Sequence, residues 1–241
     1  MAFAVSLALA LVGVATYLGT CFTLLYAALF LLYPPGDTSV GNTQSDVVYA
    51  FLVDLSLLAA FSLQHSVLAS ESVKNLFDRI GLKSMQRAVY VASTSAVMQA
   101  LMRLWQPIGS WYLWKVESSS SVQYVLIALH LLAWFTMACS SLALDCPELL
   151  GMKQIYYSLR NLECPMDYKS PTVRRLYSHC RHPILIPLLV LVWAAPVMSV
   201  DRLVLATCVP LYLLARSGLD WDDASYVHEQ YLRKQMKLHC H

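Results

Sequence analysis

Y-S-H-C-R-H-P at positions 177–183 opens the stretch that decides the fold. An uncharged apolar run, 184–200, follows it, then the pair Asp201-Arg202, then a second uncharged run, 203–215. Long runs without charge are typical of membrane-spanning helices. Pro183 suits the first turn of a helix, where its missing N–H has no partner to lose. Because the connection is so short, the sequence predicts an antiparallel helical hairpin.

The mouth of this hairpin should carry opposite charges on its two walls. Arg181 and His182 lie at the start of the first helix, where free N–H groups attract anions. Asp220 and Asp222 follow the second helix and should lie opposite them. One interpretation is a pocket for a zwitterionic ligand such as S-adenosylmethionine. The other is that Arg181 and His182 extend to lipid phosphates while the aspartates only end a helix.

The composition indicates a membrane protein. Hydrophobic residues make up 58% of the 241 residues and charged residues 13%, against about 25% charged in soluble domains. The lipid bilayer is therefore the expected environment, and a net charge of +2 does not indicate a nucleic-acid partner. The seven cysteines include no C-x-x-C pair and are expected to be reduced. No metal is predicted, because His179, Cys180 and His182 crowd one helix start and do not form a tetrahedral set.

The hydropathy pattern predicts an all-α, polytopic membrane protein with a single transmembrane domain, 1–241, that ends in the C-terminal helical hairpin. Most of the 17 Lys and Arg residues fall in the second loop, the fourth loop and the tail. This alternation predicts both termini on the cytoplasmic or nucleoplasmic side. The six expected spans are approximately 5–33, 47–69, 88–104, 122–144, 183–200 and 203–219, with a polar tail at 220–241.

Polar residues inside the predicted spans are the candidates for function. Asp54, Gln64 and His65 share the second span, and Asp54 and His65 are spaced to lie on one helix face. They either make helix–helix hydrogen bonds or line a site, with Gln64 and His65 as substrate-lining candidates. His130 in the fourth span is interpreted as a hydrogen-bonded histidine of the bundle. A transport path along Asp54, His65 and His130 is a weaker alternative, since the sequence has no internal repeat.

Two segments outside the spans are expected at the membrane interface. Residues 149–157 mix apolar and aromatic side chains, which favours a helix lying in the interface. Trp111, Tyr112 and Trp114 follow the third span and are typical of an interfacial aromatic belt.

Several short motifs carry a family resemblance over nearly the whole chain. They resemble segments of the nurim family, whose members are multi-spanning proteins of the inner nuclear membrane. The resemblance implies that location for this chain, together with nuclear-envelope partners of unknown identity. The motifs are Leu63-Gln64-His65-Ser66, Gln86-Arg87-Ala88-Val89-Tyr90, Trp105-Gln106-Pro107-Ile108, Gly151-Met152-Lys153-Gln154, Ser178-His179-Cys180-Arg181-His182-Pro183 and Gly218-Leu219-Asp220.

The C-terminal part, from Tyr177 to Tyr231, also resembles a group of integral-membrane methyltransferases, the isoprenylcysteine carboxyl methyltransferase and methanethiol S-methyltransferase type. In that group an R-H-P motif and the last hairpin hold S-adenosylmethionine, followed by a glutamate pair and a tyrosine. The resemblance implies cofactor contacts at Arg181, His182, Pro183, Asp220 and Tyr231.

The sequence departs from the methyltransferase pattern at several of these positions. Leu185 stands where the enzymes have tyrosine, and Pro187 replaces a glycine. The glutamate pair falls on Leu219 and Asp220, or on Asp222 and Asp223 after a shift of register. Two functions follow. The chain is either a structural, non-catalytic protein with a degenerate methyltransferase-like pocket, or an S-adenosylmethionine-dependent methyltransferase acting on a thiol, carboxylate or lipid.

Overall fold

The computed structural model describes residues 2–33, 43–109, 111–117, 119–163, 165–170 and 185–217. The regular secondary structure of this part of the chain is helical except for one small sheet. Its elements, in chain order, are α1 (Ala2–Leu32), α2 (Gln44–Leu68), α3 (Glu71–Arg79), α4 (Lys83–Leu104), β1 (Tyr112–Lys115), α5 (Ser121–Ala143), α6 (Cys146–Leu149), α7 (Met152–Leu159), a 3-10 turn (Pro165–Tyr168), α8 (Leu185–Trp193), β2 (Val197–Ser199) and α9 (Val200–Ser217).

Three of these helices are long and apolar enough to cross a membrane: Ser6–Leu32 within α1, all of α2 and all of α5. Large apolar side chains such as Leu25, Leu131 and Phe135 lie exposed on their outer faces, which suits contact with lipid rather than water. An all-α membrane protein is therefore confirmed at this level. Six spans with a C-terminal hairpin stay a prediction.

The helices pack into a bundle in which α4 contacts α1 and α2, and α8 contacts α5 and α9. α9 also contacts α2. The hydrophobic core draws on α1, α2, α4, α5, α8 and α9, with Leu191 and Met198 fully buried near its centre. The last described elements, α8, β2 and α9, therefore lie within the bundle and not beside it.

The connection between α8 and α9 differs from the prediction. The sequence predicts that Asp201 and Arg202 form a polar loop between spans 183–200 and 203–219. Instead α8 ends at Trp193, residues 197–199 form β2, and α9 already begins at Val200. Asp201 and Arg202 lie in the first turn of α9, only 1% and 3% exposed. They are buried because hydrogen bonds to other elements satisfy them, as described below.

The strand β2 pairs antiparallel with β1, with Tyr112 opposite Ser199 and Trp114 opposite Met198. This places two of the three aromatic residues predicted as an interfacial belt in a strand. Trp114 is partly buried against the core and donates from Nε1 to the carbonyl of Ala195 at 2.9 Å. Trp111 is strongly exposed, as a residue of an interfacial belt should be.

Most of the segment 149–157, predicted as an interfacial helix, lies in α7 (Met152–Leu159), whereas Leu149 ends α6; α7 packs against α1 and α4. Its Ile155 is buried. Gly151 precedes the helix with φ of +85°, and a Cβ atom there would lie 2.5 Å from the backbone nitrogen of Ala88. Glycine is therefore needed for both backbone conformation and close approach to α4.

Candidate functional site

A cavity of about 640 Å³ lies between the helices and is lined mainly by apolar side chains. Its walls come from α1, α2, α4, α5, α6, α8 and α9, with Phe30, Leu58, Leu101, Leu191 and Leu205 as representatives. This volume falls within the range of about 300–1,000 Å³ typical of small-molecule sites. We call it the interior cavity.

One end of the interior cavity is polar. His65, Arg87, Tyr90 and Tyr212 line it; together with Ser66 we call them the His65 cluster. The hydroxyl of Tyr90 lies 2.6 Å from Nε2 of His65, and the hydroxyls of Ser66 and Tyr212 are 2.9 Å apart. The cluster therefore joins the end of α2, the start of α4 and the end of α9.

Ring contacts fix the imidazole of His65. It stacks on Phe61 with centroids 5.7 Å apart and meets the edge of Tyr212 at 6.1 Å. The guanidinium of Arg87 lies 5.3 Å from the centroid of the Tyr90 ring, and its Nε donates to the carbonyl of Leu149 at 2.8 Å. The cluster thus presents aromatic, hydroxyl and cationic groups at one end of an apolar space.

Gln64 and His65, the predicted substrate-lining residues, point to different surroundings. His65 lines the interior cavity. Gln64 is not among its described lining residues, and its Nε2 donates to Ser93 Oγ at 2.9 Å. Gln64 therefore makes the helix–helix hydrogen bond that was the alternative interpretation. That a substrate lies against either residue stays a prediction.

Arg202 fastens α9 to the C-terminal end of α1. Its guanidinium donates to the carbonyls of Leu31 at 2.9 Å and Tyr33 at 3.1 Å, and also to that of Phe30. The last carbonyls of a helix have no partner within the helix, and the negative end of its dipole favours a cation. Arg202 therefore acts as a buried C-terminal cap supplied by a distant part of the chain.

Two buried carboxylates likewise form hydrogen bonds with a distant part of the chain. Asp201 accepts hydrogen bonds from Trp105 Nε1 at 2.8 Å and from the backbone N–H of Ile108 at 3.2 Å. Asp54 accepts from the backbone N–H of Gln106 at 2.8 Å. All three donors belong to the chain that follows α4, which lacks regular hydrogen bonding. The carboxylates therefore hold this irregular segment against α2 and α9.

The prediction for His130 is correct only in part. His130 lies inside the bundle and is 2% exposed, but among the described residues neither ring nitrogen has a hydrogen-bond partner. Neither His130 nor Asp54 lines the interior cavity, whereas His65 does. In the part of the chain described, the three residues therefore form no shared path.

The predicted cofactor residues Arg181, His182, Pro183, Asp220 and Tyr231 lie outside the described residues, as do His179, Cys180, Asp222 and Asp223. The two departures that are described, Leu185 and Pro187, lie in α8, and Pro187 is buried. Within the described ranges, no group of three potential metal ligands is found.

Several functional candidates were missed by sequence reasoning. Tyr212 lies in an apolar run and carries no pattern of its own. Tyr90 belongs to one of the motifs that carry the family resemblance and His65 to another, so these two motifs meet in the structure. The two motifs were the available signal for this part of the site, but connecting them requires knowing that α2 and α4 are neighbours.

The fold and the site together define a class: an α-helical integral membrane protein with a ligand-sized apolar cavity inside its bundle. The chain matches no family model and no solved structure. Several named proteins are nevertheless similar to the chain over most of its length. The chain is 35% identical over 242 residues to the nurim homolog of Drosophila pseudoobscura pseudoobscura, covering 95% of this chain and 96% of that protein.

Vertebrate relatives agree with the fly protein. The chain is 39% identical over 204 residues to nurim of Danio rerio, covering 83% of this chain and 74% of the relative. It is also 39% identical over 185 residues to nurim of Homo sapiens, covering 75% and 70%. This chain belongs to the nurim family.

Proposed function

We propose that this protein is a six-span component of the inner nuclear membrane with a structural, non-catalytic role and both termini on the nucleoplasmic or cytoplasmic side. Membership of the nurim family supports the location. Three apolar helices and the uneven distribution of Lys and Arg among the loops support the topology.

The use of buried charge carries the structural part of the proposal. Four carboxylate or guanidinium groups are buried in the described residues: Asp54, Glu148, Asp201 and Arg202. Asp54, Asp201 and Arg202 bind backbone groups or an indole of another element. Glu148 lies 2.7 Å from the ammonium of Lys169. Each of these charges joins separate elements, which is the use expected of polar groups that stabilise a membrane bundle.

The test is the location of fluorescently tagged variants in cells. Arg181→Ala and Asp220→Ala should remain at the nuclear rim at wild-type level, because a structural role does not need the predicted cofactor residues. Arg202→Met should lower the amount of protein, because it removes a fastening of the bundle. Loss of rim location in the first two variants, with normal protein amount, would contradict the proposal.

Protease protection tests the topology separately. A tag after His241 should be digested by a protease small enough to pass the nuclear pores, added to semi-permeabilised cells whose nuclear membranes are intact, because the tail is placed outside the lumen. A tag inserted near residue 40, in the predicted first loop, should be protected. The reverse pattern would exclude the proposed orientation.

A second candidate function is an S-adenosylmethionine-dependent methyltransferase, and the interior cavity favours it. Leu188 of α8 and Leu213 of α9 both line this cavity, a few residues from the predicted cofactor residues 181–183 and 220. A lipophilic substrate in the cavity would therefore contact residues that are close in sequence to the predicted cofactor residues.

In this candidate mechanism the protein would act mainly by positioning. Arg181 and His182 would bind the carboxylate of the cofactor, and Asp220 its amine or a ribose hydroxyl. The cofactor supplies the methyl group, and an anionic substrate needs no general base. The test is transfer of a labelled methyl group to extracted lipids or thiols by protein in liposomes. Transfer that Arg181→Ala abolishes would support this candidate, and no transfer above protein-free liposomes would exclude it for those acceptors.

A further inference from the structure

We propose that α3 lies flat in the membrane interface, with Leu76 and Ile80 in the acyl layer, and that Arg79 binds the phosphate of an anionic phospholipid there. The lipid belongs to the leaflet at the C-terminal end of α2. The inference does not depend on a methyl donor, on the interior cavity or on which side of the membrane this leaflet faces.

α3 is a short helix that is capped at both ends. At its start the hydroxyl of Ser70 accepts the backbone N–H of Val73 at 3.5 Å. At its end Gly81 has φ of +73°, and the N–H of Leu82 donates to the carbonyl of Phe77 at 2.9 Å. None of the nine residues of α3 is buried. Since a helix shorter than about 12 residues is marginal in water on its own, α3 needs a surface to lie against.

The connection to α2 holds α3 close to the membrane surface. α2 is long and apolar enough to cross the membrane and ends at Leu68, so only two residues separate it from the start of α3 at Glu71. An extended chain spans about 3.6 Å for each residue, which limits the separation between Leu68 and Glu71 to about 11 Å. The headgroup region on each side of a bilayer is about 5–8 Å thick. α3 therefore begins within this region or directly beside it.

One side of α3 is apolar, and only half of that side contacts protein. Four apolar residues have the spacing of an amphipathic helix: Val73, Leu76, Phe77 and Ile80. The first and third are partly buried, which fits the contacts of α3 with α2 and α4. Leu76 and Ile80 are 54% and 55% exposed. Leu63 and Val67 near the end of α2 are exposed as well, so the lipid-facing surface of α2 extends to its junction with α3.

Arg79 is the group that selects an anionic lipid. Both acidic residues of α3 have a lysine partner, Glu71 with Lys74 at 2.7 Å and Asp78 with Lys83 at 3.3 Å. Arg79 is exposed, and within the described residues it has no carboxylate partner. A guanidinium binds a phosphate through two parallel hydrogen bonds, which are stronger than bonds between neutral groups.

A shallow hollow on α3 connects this cation to the apolar side. It is lined by Ser72, Asn75, Leu76 and Arg79, whose spacing places them on one face of the helix. The hydroxyl and the amide add two hydrogen-bond donors beside the guanidinium. A phospholipid that inserts its acyl chains beside Leu76 would therefore bring its phosphate to Arg79.

The first experiment tests where α3 lies, with the full chain in nanodiscs of phosphatidylcholine and phosphatidylserine. A photoreactive benzoylphenylalanine replaces either Ile80 or Asp78, and lipid adducts are measured by mass spectrometry after irradiation. The two positions are two residues apart and so face nearly opposite sides of the helix.

Position 80 should carry about tenfold more lipid adducts than position 78, because only the apolar side of an interfacial helix is immersed among acyl chains. Neither residue is buried, so both variants should fold, and the yields are normalised to monodisperse protein from gel filtration. Equal lipid labelling at the two positions would overturn the proposal. Cross-links from position 80 to protein alone would overturn it as well, because they would indicate a protein partner on this face.

The second experiment tests the head group with two variants that each remove one positive charge from α3. Native mass spectrometry of the purified full chain measures how much phosphatidylserine remains bound relative to phosphatidylcholine. Arg79→Gln should lower this ratio about fivefold, the contribution of one cation at an anionic membrane surface. Lys74→Gln should change it by less than about twofold, because Lys74 is paired with Glu71. Equal retention of the two lipids by the wild type, or equal losses in the two variants, would overturn the assignment to Arg79.

Discussion

Replacing Arg202 by methionine tests how the bundle is fastened. Methionine keeps an unbranched stem of similar reach but has no donor. The substitution leaves the carbonyls of Phe30, Leu31 and Tyr33 without the guanidinium that satisfies them. Tyr33 is exposed, so its carbonyl can bind water instead. Phe30 and Leu31 are buried, and their carbonyls have no such replacement.

The magnitude follows from these two buried carbonyls. Hydrogen bonds to a charged group contribute about 1.5–3 kcal/mol each, so two of them amount to about 3–6 kcal/mol. Removing the guanidinium also removes the cost of burying a charge, which offsets part of the loss. We therefore expect the lower end, about 3 kcal/mol. For a chain of this size that is a decrease in Tm of about 6–12 °C.

The assay is thermal unfolding of purified protein in one detergent, followed by intrinsic fluorescence and by gel filtration after heating. Arg103→Met is the matched control, because Arg103 is exposed at the end of α4. It should change the free energy of unfolding by no more than about 0.5 kcal/mol. Arg202→Lys should fall between the two, because it keeps the charge but cannot reach several carbonyls at once. A Tm for Arg202→Met within about 2 °C of wild type would refute this reasoning.

Three further perturbations follow from the described contacts. Gly151→Ala should destabilise the protein by about 1–3 kcal/mol, since the backbone there has positive φ and a Cβ would collide with α4; Gly19→Ala, with open space around its Cβ, should be neutral or stabilising in the same thermal assay. Asp54→Asn should stay within about 1 kcal/mol of wild type because it keeps an acceptor oxygen, whereas Asp54→Leu should lose about 1–3 kcal/mol in denaturant titration; equal losses would show that the charge matters more than the acceptor. The hydrogen bond to Asp145 raises the pKa of Lys153 above its ordinary 10.5. The stabilisation that the pair contributes is therefore complete below pH 10.5 and is lost as the pH rises through the pKa of Lys153 in the folded protein. Asp145→Asn should remove this alkaline loss, and an unchanged pH profile would contradict the pairing.

The long apolar helices could be predicted from the sequence because hydropathy is a local property. α1, α2 and α5 lie close to the predicted ranges 5–33, 47–69 and 122–144, although α2 starts at Gln44. The bounds of the helices with more polar residues were predicted less accurately. α4 begins at Lys83, five residues before the predicted 88, because charged residues up to Arg87 continue the same helix.

Asp201 and Arg202 show why the remainder could not be predicted. Two charged residues between apolar runs have the pattern of a loop, and local sequence offers no reason to bury them. Their partners, Trp105 and the end of α1, are distant along the chain. Burial becomes favourable only when the fold brings these donors and acceptors together.

The candidate site was predictable only in its separate parts. His65 was identified as an ionisable residue inside a span, and Arg87 and Tyr90 occurred in a motif that carries the family resemblance. Their meeting depends on the contact between α2 and α4. The interior cavity could not be predicted at all, because it arises where side chains from seven helices fail to fill the space between them.

Titration of the purified protein with S-adenosylhomocysteine by calorimetry tests the central claim, a structural role without a methyl donor, most directly. The account predicts no saturable heat for wild type, and the same baseline for Arg181→Ala and Asp220→Ala. A saturable isotherm that both substitutions abolish and that Arg103→Met leaves intact would contradict it.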